Sequence, residues 1–313
     1  MKTDLVPSPS SVSSLTRRAF GKVAFGSALA GMPSAAVRAA PASPSGPSLK
    51  VLSYNVWYGF TKKPERKADY LAYVKELAPD VVSLQELNGY TPEKLAADAK
   101  SWGHAYSVLL KEDGFPTGLT SNRPISKVRR VLKGYHHGLL SCVTHGVHFY
   151  VIHLHPGHWE IRLREVNLLL NDLAARPADE KILLVGDFNT FSNRDKPAYD
   201  ASSDMVPFFR RLDQRWKSNR NLNDDRLDYR HLERLEGAGF ADLAAAKRKT
   251  FRGTFPTKLR AGEDNGPERR LDYVFANPVM TRACRSAQCL VNERTAMLSD
   301  HYPVSATFAL PVK

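Results

Sequence analysis

From Leu49 onward, short apolar runs alternate with longer segments in which apolar residues recur every three or four positions. Runs of five to seven apolar residues bounded by polar or glycine-containing segments predict β-strands. A glycine between two of them, Gly146, predicts a hairpin turn and therefore antiparallel pairing. The predicted strands are Lys50–Val56, Asp80–Glu86, Ala105–Leu110, Ser126–Leu132, Leu139–Thr144, Val147–His153, Lys181–Gly186, Leu271–Ala276, Ala287–Val291 and Pro303–Ala309.

Helical periodicity predicts three helices between the strands: Pro64–Leu77, Thr91–Lys100 and Trp159–Ala175. The last has an apolar stripe, and Arg162, Arg164 and Glu165 lie off it. Strands joined by both hairpins and helices predict an α/β fold with two packed sheets and helices outside them.

The composition is that of a folded, basic protein. The chain has 313 residues, enough for one large domain or two modest ones. Its 42% hydrophobic and 25% charged residues exclude a disordered chain and a multispan membrane protein. The net charge of +13 favours polyanionic partners, although export signals also add positive charge.

An N-terminal segment has the layout of an export signal. Residues 16–22 (Thr-Arg-Arg-Ala-Phe-Gly-Lys) precede a short apolar run and Ala-rich residues, and they resemble a bacterial twin-arginine signal. We predict that residues 1–42 are removed, that 43–48 form a linker, and that the mature protein is periplasmic or extracellular. An unstructured basic tail or an uncleaved anchor are the alternatives. Without residues 1–42 the chain keeps 40 basic and 31 acidic residues, a net +9, and no span long enough for a membrane is predicted.

Two features of the later sequence have alternative interpretations. Cys284 and Cys289 are predicted either to form a disulfide in an oxidising compartment or to pack as free thiols. Residues 192–236 are rich in Arg, Asp and Asn, which favours a solvated charged insertion, with a helix near Leu227–Leu235. A lid or substrate-binding surface is the less favoured interpretation of that insertion.

Polar residues follow several apolar runs directly, and they carry the chemistry. Strand ends hold side chains rigidly, and ligands of α/β folds commonly bind at such an edge. Oxygen ligands without thiolates suit Mg²⁺, Mn²⁺ or Ca²⁺, and a nearby histidine can take a proton from a metal-activated water. This set of oxygen ligands and histidines therefore predicts phosphoester hydrolysis. The residues are Asn55, Glu86, His153, Asp187, Asn189, Asp300 and His301.

Taken together, these segments resemble the endonuclease/exonuclease/phosphatase superfamily, which includes deoxyribonucleases, abasic-site endonucleases, sphingomyelinases and inositol polyphosphate 5-phosphatases. The resemblance implies a domain over residues 49–313 with a four-layered α/β sandwich, in which two mixed or antiparallel sheets are flanked by helices. Its markers are Ser-Tyr-Asn55-Val-Trp, Leu-Gln-Glu86-Leu, Asn-Arg123-Pro-Ile, Ile-His153-Leu-His, Gly-Asp187-Phe-Asn189, Arg270-Leu-Asp272-Tyr and Ser-Asp300-His301-Tyr-Pro.

The resemblance also implies a role for each marker residue. Glu86 would be the main metal ligand, assisted by Asn55 and Asp300. His301 would be the general base, oriented by Asp272. The phosphate and water would be contacted by Asp187, Asn189 and His153, and further substrate contacts are predicted for Arg123, His155 and Arg270.

One position departs from the resemblance. Deoxyribonuclease-like members carry a Glu that pairs with the histidine corresponding to His153, and an ungapped count places it near Pro116, with Glu112 and Asp113 close by. This weakens a deoxyribonuclease assignment. The substrate is therefore left open between nucleic acid, a phospholipid headgroup and an inositol phosphate, and a non-catalytic binding protein on the same fold is a less favoured alternative.

Overall fold

The computed structural model describes residues 48–310. The predicted export signal lies outside the described residues, as does the predicted linker except Ser48, which begins the first strand. The strands are β1 (Ser48–Asn55), β2 (Val81–Gln85), β3 (Tyr106–Leu109), β4 (Gly118–Ser121), β5 (Ser126–Val131), β6 (Leu139–Thr144), β7 (Val147–His153), β8 (Ile182–Asp187), β9 (Ala241–Asp242), β10 (Asp272–Ala276), β11 (Cys284–Cys289) and β12 (Val304–Ala309). The α-helices are α1 (Lys67–Leu77), α2 (Pro92–Ser101), α3 (Trp159–Ala174), α4 (Lys196–Asp200), α5 (Met205–Arg215), α6 (Arg230–Gly237), α7 (Leu243–Lys247), α8 (Pro278–Ala283) and α9 (Thr295–Leu298).

The strands form two six-stranded sheets. The first has the order β11-β12-β1-β2-β4-β3, and the second has the order β5-β6-β7-β8-β10-β9. Each sheet contains one parallel pair, β1 with β2 and β7 with β8, among antiparallel neighbours. The predicted hairpin at Gly146 is confirmed, since Thr144 pairs with Val147 and the glycine has φ 68°.

Apolar side chains between and outside the sheets build four layers. The facing sides of the two sheets share one core, which includes the fully buried Val51 and Phe149. The outer face of the first sheet packs on α1 and α2 through residues such as Tyr70, and that of the second packs on α3 and α6 through Leu169 and Leu235. Burying one such side chain contributes roughly 1.5–3 kcal/mol. The predicted four-layered α/β sandwich is confirmed.

Most predicted strand boundaries lie within two residues of the observed ones, and the differences have local causes. The predicted strand Ala287–Val291 is observed as Cys284–Cys289. Strand β4 was missed because it has one large apolar residue, Leu119, in four positions, and β9 has only two residues. Among the described residues, no helix combines the length and apolar character needed to cross a bilayer.

The cysteine alternatives are decided by strand geometry. Cys284 and Cys289 are the first and last residues of β11, so about 16 Å of extended chain separates them. A disulfide requires Cα atoms within about 7 Å. Both thiols are free.

The insertion is not simply a solvated segment. Met205, Phe208, Phe209 and Leu212 recur on one side of α5, and together with residues outside the insertion they form a separate apolar cluster. This stripe was not predicted because the many charges on the other side of the helix dominate the composition. The predicted helix near Leu227–Leu235 is observed as α6, displaced toward the C-terminus by about one turn.

Candidate active site

The ends of the central strands meet at one edge of the sandwich. Because His153 pairs with Asp187, and Asp187 with Asp272, three chemically active side chains of the second sheet lie side by side. Strands β1 and β2 of the first sheet end at the same edge, as their register and the contacts below show. The structure therefore brings together Asn55, Glu86, His153, Asp187, Asn189, Asp272, Asp300 and His301.

His301 lies at the centre of this group. Its Nδ1 is 2.8 Å from Oδ2 of Asp272, and its Nε2 is 3.9 Å from Oδ2 of Asp187. Burial opposes the charged imidazole, but the charge and hydrogen bond of Asp272 and the charge of Asp187 outweigh it and raise the pKa of His301. Burial, followed by the charge of Asp272, also raises the pKa of Asp187. The arrangement fixes one ring nitrogen and points the other at a second carboxylate.

Asn55 joins the carboxylates of the two sheets. Its Nδ2 donates to Oε1 of Glu86 at 3.2 Å and to Oδ2 of Asp187 at 3.1 Å, while its Oδ1 accepts from the backbone N–H of Trp57. The amide oxygen, which the predicted role as a metal ligand requires, is thus turned away from the carboxylates. In this structure Asn55 positions Glu86 and Asp187 by donation.

Several residues at this edge have backbone conformations that side chains rarely adopt. Trp57, Tyr58, Glu86 and Asn189 have φ values of 54°, 52°, 60° and 49°. A left-handed conformation at a non-glycine residue costs about 1–2 kcal/mol, and such strain clusters at functional sites. One compensation is visible, since the Tyr58 N–H donates to Oε2 of Glu86 at 2.9 Å.

The glycine that begins the Gly-Asp-Phe-Asn segment is required by the close packing of two strands. A Cβ on Gly186 would lie 2.0 Å from the carbonyl oxygen of Ile152 in the neighbouring strand, so only glycine fits before Asp187. The backbone N–H of Asn189 then donates to Oδ1 of Asp187 at 2.8 Å, and its Nδ2 donates to the Leu154 carbonyl at 3.0 Å. These contacts hold the Asp187 carboxylate toward the histidines.

His153 is held without a carboxylate of its own at Nδ1. Its Nε2 is 3.8 Å from Oδ2 of Asp187, and its ring stacks on His137 with 4.0 Å between centroids. Burial and the charge of His301 lower the pKa of His153 to about 3, opposed by the backbone of Phe115. Phe115 precedes Pro116, where the Glu of deoxyribonuclease-like members would fall, and Glu112 and Asp113 are exposed. Among the described residues, no carboxylate pairs with Nδ1 of His153, which is buried without a hydrogen-bond partner.

The group can hold a divalent cation. Ligand atoms of Asp187, Asp272 and His301 lie within 4.8 Å of one another, and Oδ1 of Asp272 is buried with no hydrogen-bond partner in the described part of the chain. Beside them, burial raises the pKa values of Glu86 and Asp300, and the charge of Asp300 adds to the shift at Glu86. Crowded carboxylates of this kind suit a hard cation that offsets their charge.

A cavity of about 330 Å³ opens beside these groups. Its walls combine the catalytic edge with aromatic and amide side chains, and the insertion supplies one wall through Phe209, Leu212, Asn219 and Asn221. The less favoured interpretation of the insertion, a substrate-facing surface, thus agrees with its position. The remaining lining residues are Trp57, Tyr58, Glu86, Pro156, Gly157, Asn189, Phe191, Phe255, Arg260, Arg269, Leu271, Asp300 and His301.

The structure does not bring Arg123 and Arg270 to this site. Arg123 follows β4, whose last residue pairs with the first residue of β2, so it lies at the opposite end of the sheet from Glu86. Arg270 is fully buried and donates to Asp242 and Asp195. Neither guanidinium lies beside the residues gathered at this edge, so the structure does not support the predicted substrate contacts of Arg123 and Arg270 there.

His155 lies next to the site rather than in the cavity wall. Its ring packs 4.2 Å from that of His136, and the backbone N–H groups of both residues donate to Glu165. Arg162 and Glu165, which lie off the apolar stripe of α3, are nevertheless buried. Arg162 donates to the carbonyls of His155 and Pro156, so Arg162 and Glu165 together anchor the loops that carry the histidines.

Sequence reasoning missed most of the residues that line the cavity, among them Arg260, Arg269 and Trp57. Arg269 and Arg260 lie in segments of mixed composition, and Trp57 gave no signal beyond its place after Asn55. An adjacent pair, Arg269-Arg270, offered two candidates, and only the packing shows which one faces the cavity.

Comparison with known proteins is consistent with this geometry. Residues 52–301 match the Endonuclease/Exonuclease/phosphatase family. No curated protein matches the sequence.

Solved structures share the fold. An AP endonuclease from Archaeoglobus fulgidus is similar with a TM-score of 0.64 and 19% identity, covering 84% of this chain and 100% of that one. The 3′-5′ exonuclease NExo from Neisseria meningitidis has a TM-score of 0.60 and 16% identity, covering 84% and 100%. TDP2 from D. rerio, complexed with a single-strand DNA product, has a TM-score of 0.55 and 17% identity, covering 84% and 99%. At these identities the likeness shows the fold alone.

Proposed function

Because the chain belongs to the Endonuclease/Exonuclease/phosphatase family, we propose that it is a divalent-metal-dependent hydrolase in which water attacks the phosphorus of a phosphoester. One observation carries the proposal: the imidazole of His301 is fixed by Asp272 on one side and faces Asp187 on the other. An imidazole oriented in this way can accept a proton from water, and Glu86 and Asp300, which could hold a cation, line the same cavity.

In this proposal His301 and Asp272 carry out proton transfer, while other residues at the same edge bind the phosphate. A water bonded to Nε2 of His301 and to Asp187 loses its proton to Nε2 as its oxygen attacks phosphorus, and Asp272 stabilises the resulting imidazolium. The ester P–O bond opposite the water breaks, and the leaving oxygen takes a proton from solvent. His153, neutral because burial lowers its pKa to about 3, donates a hydrogen bond to a phosphoryl oxygen. Asn189 uses one Nδ2 hydrogen on the Leu154 carbonyl and has the other free for the phosphate.

Glu86 and Asp300 are the residues that we propose to hold Mg²⁺, Mn²⁺ or Ca²⁺, with Asp187 next to them. When bound, such a cation polarises the phosphoryl oxygen and favours the deprotonated forms of the neighbouring acids and imidazole. The competing ligand set, Asp187, Asp272 and His301, would occupy the imidazole that the reaction needs as a base.

The first expected result separates these two metal sites. With bis(p-nitrophenyl) phosphate as a generic diester, EDTA abolishes turnover of the wild-type protein, and Mg²⁺, Mn²⁺ or Ca²⁺ restores it. Glu86→Gln weakens metal binding by about 10- to 100-fold, measured by calorimetry, because a charged ligand is lost. Asp272→Asn leaves metal affinity within about threefold while turnover falls. If Asp272→Asn instead weakens metal binding more than Glu86→Gln does, the metal is held by Asp187, Asp272 and His301.

Nucleic acid is the substrate class that we favour among the three left open. The net charge of +9 after removal of residues 1–42 suits a polyanion, and DNA is named with one of the similar structures. Binding to nucleic acid should weaken steeply as salt rises. Hydrolysis of a phospholipid headgroup would instead depend on vesicle surface.

We also propose that the protein is exported, on the sequence of residues 16–22 alone. Replacing Arg17 and Arg18 by Lys should leave full-length protein in the cytoplasm, whereas the wild-type chain appears outside it and is shorter by about 42 residues. Fractionation followed by intact mass measurement checks both points. Unchanged partitioning of the double variant would contradict the twin-arginine assignment.

A further inference from the structure

We propose that Arg269 forms an anion subsite that binds a second acidic group of the substrate, beside the phosphoester that is cleaved. This rests on the proposed function, which places the scissile group at His301. The subsite deepens that function by requiring a substrate with two anionic groups.

Arg269 is a buried cation in an aromatic setting. Its side chain and backbone together are only 7% exposed, and its Cζ lies 4.5 Å from the ring centroid of Phe255 and 5.2 and 5.3 Å from those of Phe208 and Phe209. Burial lowers its pKa to about 10. Cation–π contacts offset only part of the cost of removing a guanidinium from water.

This guanidinium lacks a counter-charge within residues 48–310. No described carboxylate lies within ion-pair distance of it, although the neighbouring Arg270 has two and Arg260 also has two. Its Nη1 donates to the carbonyls of Asn265 and Pro267, each at 2.8 Å. Buried charges are ordinarily paired, so an arginine left uncompensated in a cavity wall implies an anionic ligand.

The rest of the guanidinium is open to the cavity. No described residue accepts a hydrogen bond from Nε or Nη2 of Arg269, and neither nitrogen is among the buried, unpartnered polar atoms of the described chain. Both nitrogens are therefore solvent-accessible, and Arg269 lines the 330 Å³ cavity. Two adjacent N–H groups on one edge of a guanidinium match two oxygens of a phosphate or carboxylate.

The subsite is within reach of a molecule held at the catalytic residues. The ring of Phe255 contacts both sides, with its centroid 5.0 Å from that of His301 and 4.5 Å from Cζ of Arg269. The insertion also lines the cavity, through residues that include Asn219 and Phe209. A cavity this small suits one compact group, such as a second phosphate one sugar away from the cleaved ester.

Binding can be tested without catalysis. In EDTA, inorganic phosphate should raise the melting temperature of the wild-type protein saturably at constant ionic strength, and Arg269→Met should abolish the shift. Arg269→Lys should keep part of this phosphate-induced shift, and the exposed control Arg252→Gln should keep all of it. In phosphate-free buffer Arg269→Met should melt at or above the wild-type temperature, because an unpaired buried charge is removed. If Arg269 had only a structural role, the melting temperature of the variant would be lower than that of the wild type.

Two results in that assay would overturn the inference. One is a phosphate shift that survives Arg269→Met but disappears in Asn189→Ala, since the anion would then sit at the scissile position. The other is a wild-type protein that phosphate does not stabilise at all.

A matched substrate pair extends the test to turnover. The p-nitrophenyl ester of thymidine 5′-phosphate, with and without a 3′-phosphate, differs by one anionic group. The wild-type enzyme should have a KM about tenfold or more lower for the 3′-phosphorylated compound, the effect of one charge-assisted hydrogen-bonded pair. Arg269→Met should remove that difference and leave kcat within about threefold. Equal KM values in the wild type, or equal losses on both compounds in the variant, would refute the subsite, whereas no turnover of either with any of the three metals would count against the proposed function alone.

Discussion

His301→Ala protein is expected to fold normally and to lose about 10²- to 10⁴-fold in kcat, the contribution of a positioned general base. In the proposed mechanism the imidazole accepts the proton of the attacking water, and Asp272 lies 2.8 Å from its Nδ1. Asp272→Asn should cause a loss of similar order, because the ring loses the carboxylate that orients it and stabilises its charge. Initial rates on bis(p-nitrophenyl) phosphate at saturating Mg²⁺ provide the measurement.

A variant that carries both His301→Ala and Asp272→Asn tests whether the two residues act together. If His301 and Asp272 act as one unit, the combined substitution should be no slower than His301→Ala alone. His145→Ala is the matched control, because His145 contacts Asn122 at the opposite edge of the sheets. Losses that multiply in the double variant, or wild-type rates in His301→Ala, would show that the pair does not work as described.

The second large effect is on stability and comes from Gly186. A methyl group there would overlap the Ile152 carbonyl at 2.0 Å, and the backbone has φ 141°. The two parallel strands that carry His153 and Asp187 would have to separate, so Gly186→Ala should cost more than about 4 kcal/mol of unfolding free energy. Urea denaturation measures it.

Gly146 provides the control for backbone strain alone. It also has a positive φ, 68°, but a Cβ added there would meet no heavy atom within 4 Å. Gly146→Ala should therefore cost about 1–2 kcal/mol. If the two variants unfold at similar urea concentrations, the close approach of β7 and β8 at Gly186 is not what stabilises this edge.

The layered fold and the members of the site were largely predictable from local pattern. Strands buried on both faces, such as β8, read as continuous apolar runs, and the residue that ends each run is rigidly placed. Asp187 and His153 could thus be assigned to one edge before their pairing was known. The family resemblance added the roles, which sequence periodicity cannot supply.

The errors arose where long-range packing decides a residue's environment. Arg269 and Arg270 are adjacent and chemically identical, yet Arg270 is neutralised by Asp195 and Asp242 while Arg269 faces the cavity. Both acidic partners are distant in sequence. Glu165 lies off the apolar stripe of its helix, yet it is buried and accepts hydrogen bonds from two loops that only the fold brings near.

The central claim is that water attacks phosphorus at the edge formed by Glu86, Asp187 and His301. Its most direct test is hydrolysis of bis(p-nitrophenyl) phosphate with Mg²⁺ in ¹⁸O-labelled water, followed by mass spectrometry of both products. We predict one labelled oxygen in the p-nitrophenyl phosphate and none in the p-nitrophenol, with the reaction lost in Glu86→Gln. Label in the phenol, or undiminished labelled product from Glu86→Gln, would contradict the account.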